Sequence, residues 1–249
     1  MKQTRILMDM PITVEVVDNG VDRKDIDEVY DYFKYIDDTF SPYKTTSKIT
    51  LINQQKLKKD GWNHDIKSIF NLAEKTRKET AGFFNIFKNG ICDPSGIVKG
   101  WAILNAADML RSKKYNNFYI DAGGDIQVAG KNKEKKLWKV GIRNPFNRSE
   151  NVKVLKLTDK GVATSGTYIR GQHIYNPHKP EEKIEQIVSL TVIGPNILEA
   201  DRFATAAFAM GRKGIYYIEN LDGFEGYMID KKGYATYTAN FNEFVYETD

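Results

Sequence analysis

Apolar residues recur at helical spacing over much of the chain. Between Asp22 and Phe40 they lie three or four residues apart, which is the pattern of a helix with one buried face. The same spacing predicts further helices over residues 64–80, 97–110, 197–211 and 214–220. A shorter helix is predicted to begin after Ser47, because serine favours the N-cap position.

Strands are indicated by alternation of apolar and polar residues and by short β-branched segments. These patterns predict strands over residues 12–17, 118–120, 152–157, 161–166 and 187–193. Asp230-Lys231-Lys232-Gly233 predicts the turn of a closing hairpin over residues 226–237. The basic segment from Lys131 to Lys136 is predicted to be a solvated hairpin tip.

Composition narrows the function classes. The net charge is +4, from 37 basic and 33 acidic residues that are mixed along the 249-residue chain, so a nucleic-acid-binding stripe is disfavoured and an anionic small ligand is compatible. Cys92 is the only cysteine, which excludes an internal disulfide and a thiolate zinc cluster. A catalytic role for the Cys92 thiol is not excluded by the composition. The apolar stretches are too short to span a bilayer, so we expect a soluble protein.

Two distant segments carry the candidate chemistry. Asp93-Pro94-Ser95-Gly96-Ile97-Val98-Lys99-Gly100-Trp101-Ala102 predicts a turn of small residues that opens a helix with Lys99 in its first turn. Free backbone N–H groups, the helix dipole and the ammonium would then face an anion such as phosphate. On the second predicted helix, Asp201 and Thr205 are four residues apart and offer a carboxylate and a hydroxyl to a hard cation. Phosphate with a divalent cation suggests a nucleotide.

These two segments resemble the corresponding motifs of the ApbE family of magnesium-dependent FAD:protein FMN transferases. Further segments recur in the family's order: Met8 to Pro11, Ser41 to Asn53, Thr80 to Ile86, Asp121 to Asp125, Trp138 to Pro145, Ala163 to Tyr168 and His173 to Pro177. The sequence departs from the usual pattern at Ala81, Asn85, Asp121 and Asn176. The resemblance implies an α+β fold with a mixed, mainly antiparallel sheet and flanking helices, in an ApbE-like two-lobed architecture formed by a single domain over residues 1–249.

The resemblance also implies a site. It assigns Mg²⁺ to the side chains of Asp201 and Thr205 and to the backbone carbonyl of Gly96. The residues that it assigns to the flavin nucleotide are Met8, Ser41, Tyr43, Asp93, Ser95, Lys99, Gly123, Gly124, Asp125, Ser165, Gly166 and His173. Read without the resemblance, Tyr43 is a half-buried loop aromatic and Gly123-Gly124 a β-turn. His173 and Asp201 are the candidate catalytic residues, and the general base stays open between His173 and a carboxylate.

The implied reaction transfers FMN from FAD to a Thr or Ser hydroxyl of an acceptor flavoprotein and releases AMP. Two alternatives stay open: an FAD pyrophosphatase that releases FMN and AMP, and a flavin-binding protein without turnover. Many family members are exported lipoproteins anchored through an N-terminal cysteine, whereas this sequence has no cysteine before Cys92. We therefore expect a cytoplasmic protein, with an exported lipoprotein whose signal is missing from the sequence as the alternative.

Overall fold

A computed structural model of the chain describes residues 1–147, 149–167 and 174–246. Its α-helices are α1 (Arg23–Phe40), α2 (Lys48–Asn53), α3 (His64–Glu79), α4 (Ser95–Ser112), α5 (Ile197–Ala209) and α6 (Gly214–Glu219), and short 3-10 turns cover Lys59–Gly61, Gly211–Lys213 and Phe241–Phe244. Side-chain N-caps start four helices: Asp22, Ser47, Asn63 and Asn196 each accept a hydrogen bond from a first-turn N–H, which satisfies a donor that the helix leaves unpaired. All predicted helices are confirmed.

The strands are β1 (Lys2–Leu7), β2 (Met10–Val16), β3 (Phe87–Lys88), β4 (Ile91–Cys92), β5 (Phe118–Ala122), β6 (Asp125–Ala129), β7 (Trp138–Arg143), β8 (Asn151–Leu157), β9 (Gly161–Gly166), β10 (Ile187–Gly194), β11 (Glu225–Asp230) and β12 (Ala235–Tyr237). Eight of them form one sheet in the order β1-β2-β5-β6-β9-β10-β11-β12. Each neighbouring pair in it is antiparallel. The predicted α+β class with a mainly antiparallel sheet is confirmed.

Two local expectations differ from the structure. Strands β1, β3, β4 and β6 were not predicted. As an edge strand, β1 alternates between exposed and half-buried residues and carries no core pattern. The segment from Lys131 to Lys136 does not close a hairpin, since β6 pairs with β5 and β9 while β7 pairs with β8. It connects the main sheet to the separate β7–β8 ribbon.

Hydrophobic cores lie on both faces of the main sheet. On one face α1, α4 and α5 pack over the strands, and inward side chains such as Ile12, Ile120 and Phe208 are fully buried. On the other face the β7–β8 ribbon packs Trp138 and Val140 against the opposite side of β6. Strand β6 is therefore buried along its whole length.

Helix α5 begins in close contact with the sheet. A Cβ atom on Gly161 of β9 would lie 2.0 Å from the backbone nitrogen of Ile197, so only glycine permits this approach. The Ile197 N–H also donates to the side-chain oxygen of Gln127 on β6, at 2.9 Å. These contacts fix the first turn of α5 and therefore the position of Asp201. Among the described residues, none of the helices is long and apolar enough to cross a bilayer.

Candidate functional site

The main cleft, of about 620 Å³, opens where the β1–β2 turn, the loop after α1, the start of α4 and the end of β5 meet. Its lining includes six residues that the sequence analysis assigned to a nucleotide: Met8, Ser41, Tyr43, Ser95, Lys99 and Gly123. These residues are far apart in the chain and come together only in the fold. A cleft of this volume is within the usual range for a small-molecule site.

The rim of the cleft is built from two tight turns. Met8 and Asp9 connect β1 to β2 with φ values of 54° and 57°, a left-handed conformation that is uncommon for a side chain as bulky as methionine. Across the cleft, the Ser41 hydroxyl oxygen accepts hydrogen bonds from the backbone N–H groups of Tyr43 and Lys44. Tyr43 is 80% exposed, so it is not the half-buried loop aromatic that its residue type alone suggests.

The floor of the cleft is the N-terminus of α4. Asp93 accepts a hydrogen bond from the Ser95 N–H at 3.0 Å, while Pro94 at the N-cap position provides no side-chain cap. The helix runs for 18 residues, so its dipole favours an anion at this end. The predicted phosphate site therefore coincides with a helix start inside a cleft, where Asp93 already accepts the first helical N–H.

Lys99 lies under this helix start in an ion pair. Its ammonium is 2.6 Å from a carboxylate oxygen of Asp125, whose side chain is only 2% exposed, whereas that of Lys99 is 18% exposed. Asp125 also accepts a hydrogen bond from the Thr164 N–H at 3.1 Å. The resemblance implies that Asp125 contacts the ligand; in the structure Asp125 pairs with Lys99 and is not among the residues that line the cleft, so its ligand role stays a prediction. Neighbouring Gly124 donates its N–H to Asp121 at 2.7 Å.

Four charged residues of the cleft, Asp9, Asp37, Asp121 and Arg143, were not identified from the sequence as site residues. Asp121 lines the cleft, and its burial raises the pKa of its carboxyl against the opposing effects of the Gly124 hydrogen bond and the positive charges of Arg143 and Lys99. Arg143, the last residue of β7, lines the same cleft. Buried and exposed residues alternate along β7 up to Arg143. This alternation does not show that the end of the strand reaches the cleft.

The three predicted metal ligands lie where α4 and α5 pack together. The Thr205 hydroxyl donates to the backbone carbonyl of Gly96 at 3.3 Å, and both residues line a small pocket of about 100 Å³ together with Asp93 and Ser95. Asp201 precedes Thr205 by one helical turn and is 5% exposed. Ser95 lines both the main cleft and this small pocket, so the two cavities adjoin.

The donor set fits a hard divalent cation. A carboxylate, a hydroxyl and a backbone carbonyl are all oxygen donors, and Mg²⁺ is commonly held by one or two carboxylates with phosphate oxygens and water completing its coordination. Within the described ranges, no group of three or more His, Cys, Asp or Glu side chains is placed to hold a metal ion. The arrangement therefore suits a cation shared with a bound phosphate better than one enclosed by protein ligands alone.

Gly100 was also missed by the sequence analysis as a functional position. Its N–H donates to a carboxylate oxygen of Asp201 at 2.8 Å, and a Cβ atom there would lie 2.7 Å from the Asp201 Cβ and 3.0 Å from the Ile197 carbonyl oxygen. Glycine at this position allows the two helices to approach closely enough for the carboxylate to be oriented from the α4 backbone. A close approach between distant segments leaves no periodic signal in the sequence.

We expect Gly100→Ala to destabilise the protein by about 1–3 kcal/mol through overpacking. The direction of the change in stability is informative, because alanine in place of an unconstrained glycine inside a helix stabilises the fold by about 1 kcal/mol. Thermal unfolding of the variant and the wild type measures the difference. A variant that melts at a higher temperature than the wild type would contradict the close contact between Gly100 and Asp201.

The remaining candidates are placed as follows. Ser165 is buried on β9 and Gly166 is the last residue of that strand, and neither lines the two adjoining cavities. His173 lies outside the described residues. Cys92 is buried, and burial raises the pKa of its thiol to about 12. The thiol is therefore neutral at physiological pH and unsuited to nucleophilic catalysis.

Comparison with known proteins identifies the family. A model of the ApbE family matches residues 87–228, more than half of the 249 residues. The chain belongs to the ApbE family. Among curated ApbE relatives, the FAD:protein FMN transferase of Vibrio cholerae is 31% identical over 130 residues, which are 49% of this chain and 39% of that protein. That of Haemophilus influenzae is 27% identical over 177 residues, which are 66% of this chain and 51% of that protein. The chain thus spans about half or less of the length of these relatives.

Solved ApbE structures share the fold. The ApbE protein of Thermotoga maritima superposes with a TM-score of 0.86 at 20% identity, covering 99% of each chain. The flavin transferase ApbE of Vibrio cholerae gives a TM-score of 0.82 at 19% identity, covering 98% of each chain. The predicted ApbE-like architecture is confirmed, whereas the roles of individual site residues stay predictions.

Proposed function

We propose that this protein is an Mg²⁺-dependent FAD:protein FMN transferase. The observation that carries the proposal is the junction at Ser95, where a cleft that ends on a helix N-terminus adjoins the oxygen donors of Gly96 and Thr205. A dinucleotide in the cleft would place its pyrophosphate at this junction. The curated relatives named FAD:protein FMN transferase support the same substrate.

The proposed reaction is a displacement at phosphorus. An acceptor Thr or Ser oxygen forms a bond to the FMN-side phosphorus of FAD, the bridging P–O bond to AMP breaks, and the hydroxyl proton passes to a base. When bound, Mg²⁺ supplies positive charge that offsets the charge developing on the pyrophosphate. The N-terminal dipole of α4 and the Lys99 ammonium would orient the phosphates, while Asp201, Thr205 and the Gly96 carbonyl are the proposed cation ligands.

The proposed base is His173, whose ordinary pKa near neutrality suits proton transfer, although its position lies outside the described residues. A carboxylate is the alternative, and Asp121 is the acid in the cleft whose pKa is raised. A pH profile of transfer by His173→Gln distinguishes them. Loss of the profile's acidic limb in that variant supports His173.

FAD should bind more tightly with Mg²⁺ than with a chelator, because the pyrophosphate and the cation are proposed to share one site. Calorimetric titration of FAD under the two conditions measures this coupling, with adenosine, which has no phosphate, as the control ligand. Equal FAD affinities with and without Mg²⁺ would contradict the proposal that the pyrophosphate and the cation share one site. Following AMP release together with the mass of candidate acceptor proteins then separates the transferase from a pyrophosphatase, which releases AMP without modifying protein.

Asp121→Asn should strengthen FAD binding at neutral pH and remove part of its pH dependence. The pKa of Asp121 is raised by burial, so in the wild type its negative charge opposes the pyrophosphate above that pKa and is lost as the pH falls through it. An acid with a raised pKa also destabilises the folded state at higher pH. The variant should therefore melt at a higher temperature than the wild type at neutral pH and equally below pH 3.8, the ordinary value.

The matched control is Asp9→Asn, which removes an exposed carboxylate from the rim of the same cleft. Its effect on FAD affinity should be smaller and should fade with added salt, because exposed charges are screened. Equal effects of the two substitutions at every salt concentration would show that burial of Asp121 has no special consequence.

A further inference from the structure

A second cavity, of about 920 Å³, lies beside the candidate site. Three aromatic side chains form its wall: the ring centroids of Trp62 and Phe70 are 4.3 Å apart, and those of Phe70 and Phe87 are 6.1 Å apart. Phe87, on the β3–β4 hairpin, is 45% exposed. We call this cavity the aromatic groove. An exposed aromatic wall of this kind typically marks a binding surface.

The aromatic groove continues into the proposed reaction centre. Asn85 and Ile86 line both the groove and the small pocket that contains Gly96 and Thr205. The small pocket in turn shares Ser95 with the main cleft. The three cavities therefore follow one another in the order main cleft, small pocket, aromatic groove.

The charges at the groove favour an acidic occupant. Lys59 and Lys67 line it, and neither forms an ion pair within the part of the chain that the structure describes. The third cation of the lining, Arg77, is paired with Glu74 through two hydrogen bonds of 2.8 and 2.9 Å. Two lysine charges are thus left to attract carboxylates.

A polar atom in the aromatic wall also lacks a partner. The indole N–H of Trp62 is buried from solvent and makes no hydrogen bond in the described structure. A buried donor without an acceptor costs free energy. Because the nitrogen is closed to solvent, an oxygen of an occupant reaches it only if the indole ring shifts.

We propose that the aromatic groove binds the segment of the acceptor protein next to the modified hydroxyl, and that this segment is acidic and carries an aromatic or large aliphatic side chain. The proposal rests on the transferase function. Displacement at phosphorus places the attacking and leaving oxygens roughly in line. The dinucleotide is proposed to occupy the main cleft, so a hydroxyl that arrives from outside that cleft can reach its phosphates through the adjoining small pocket, which is the side of the groove.

The test uses short synthetic peptides that contain one threonine and an Asp/Glu-rich segment with one tyrosine, at several distances from the threonine. Matched peptides carry lysine in place of the acids. Binding to the full chain is followed by tryptophan fluorescence, and Trp62→Phe identifies the signal that comes from the groove. FAD affinity and FMN transfer to each peptide are measured in the same samples.

We expect the acidic peptides to bind more tightly than the lysine peptides, and we expect Lys59→Glu combined with Lys67→Glu to weaken acidic-peptide binding about tenfold with unchanged FAD affinity. The control combines Lys131→Glu with Lys136→Glu. It makes the same charge change in an exposed connection on the other face of the sheet, and it should alter peptide binding much less.

Equal binding of the acidic and lysine peptides, or equal effects of the two double variants, would overturn the docking proposal even if FMN transfer occurs. Charge-dependent peptide binding without Trp62 fluorescence change would overturn it as well, because the segment would then bind elsewhere. If peptides bind as proposed but FAD does not bind at all, the docking surface stands and the transferase function fails. The two proposals can therefore fail separately.

Discussion

Asp201→Asn is expected to lower the proposed Mg²⁺-dependent FMN transfer about a hundredfold or more, with little change in melting temperature. The amide retains an oxygen that can accept the Gly100 N–H bond of 2.8 Å, so the contact between α4 and α5 survives. The negative charge that a hard cation requires is lost, and charge stabilisation by a metal contributes several kcal/mol to such reactions. Initial rates of transfer over a range of Mg²⁺ concentrations measure the effect.

Asp201→Ala is the comparison variant. It removes the acceptor of the Gly100 N–H as well as the charge, so it should also destabilise the fold by about 1–3 kcal/mol. A purely structural role predicts that asparagine restores activity and that only alanine is harmful. A wild-type rate of FMN transfer by Asp201→Asn at ordinary Mg²⁺ concentrations would contradict the assignment of Asp201 as a cation ligand.

Lys99→Ala is expected to weaken FAD binding and to destabilise the protein by about 3 kcal/mol. The substitution leaves the carboxylate of Asp125, 2% exposed and 2.6 Å from the ammonium in the wild type, without its cation, and breaking a buried ion pair from one side is costly. The same ammonium is proposed to attract the pyrophosphate. FAD titration across salt concentrations and denaturant unfolding measure the two effects.

The double variant Lys99→Met with Asp125→Asn separates the effect on FAD binding from the effect on stability. Removing both charges should restore most of the stability, because no buried charge is then left unpaired. FAD affinity should stay low and become less sensitive to salt, since the charge contact with the ligand is still missing. Recovery of FAD affinity in the double variant would assign Lys99 a purely structural role.

The helices could be predicted from the sequence because each carries its own signal. Helices α1 and α3 have a buried stripe at helical spacing and a side-chain cap at the predicted start. The buried strands β2 and β10 are likewise rich in the β-branched residues that a covered sheet favours. Local signals of this kind survive without knowledge of the neighbouring elements.

The elements and site residues that the sequence did not predict depend on contacts between distant parts of the chain. Edge strand β1 is recognisable only through its register with β2. Asp125 and Gly123 belong to the same glycine turn, yet Gly123 lines the cleft while Asp125 points beneath it to Lys99. Motif matching placed both residues near the ligand, and only the fold shows that one lines the cleft while the other pairs with Lys99. Arg143 reaches the cleft from a ribbon on the other side of the sheet, which no local pattern anticipates.

The close fit of α5 limits where motion can occur during turnover. Gly161 holds its first turn against the sheet and Gly100 holds Asp201 against α4, each at a distance that leaves no space for a side chain. Sliding or tilting the helix would change the close contacts of Ile197 with Gly161 and of Asp201 with Gly100. We therefore expect the movements that accompany ligand entry to occur at the rim, at the turn of Met8 and the segment from Ser41 to Tyr43, while the proposed cation ligands stay in fixed register.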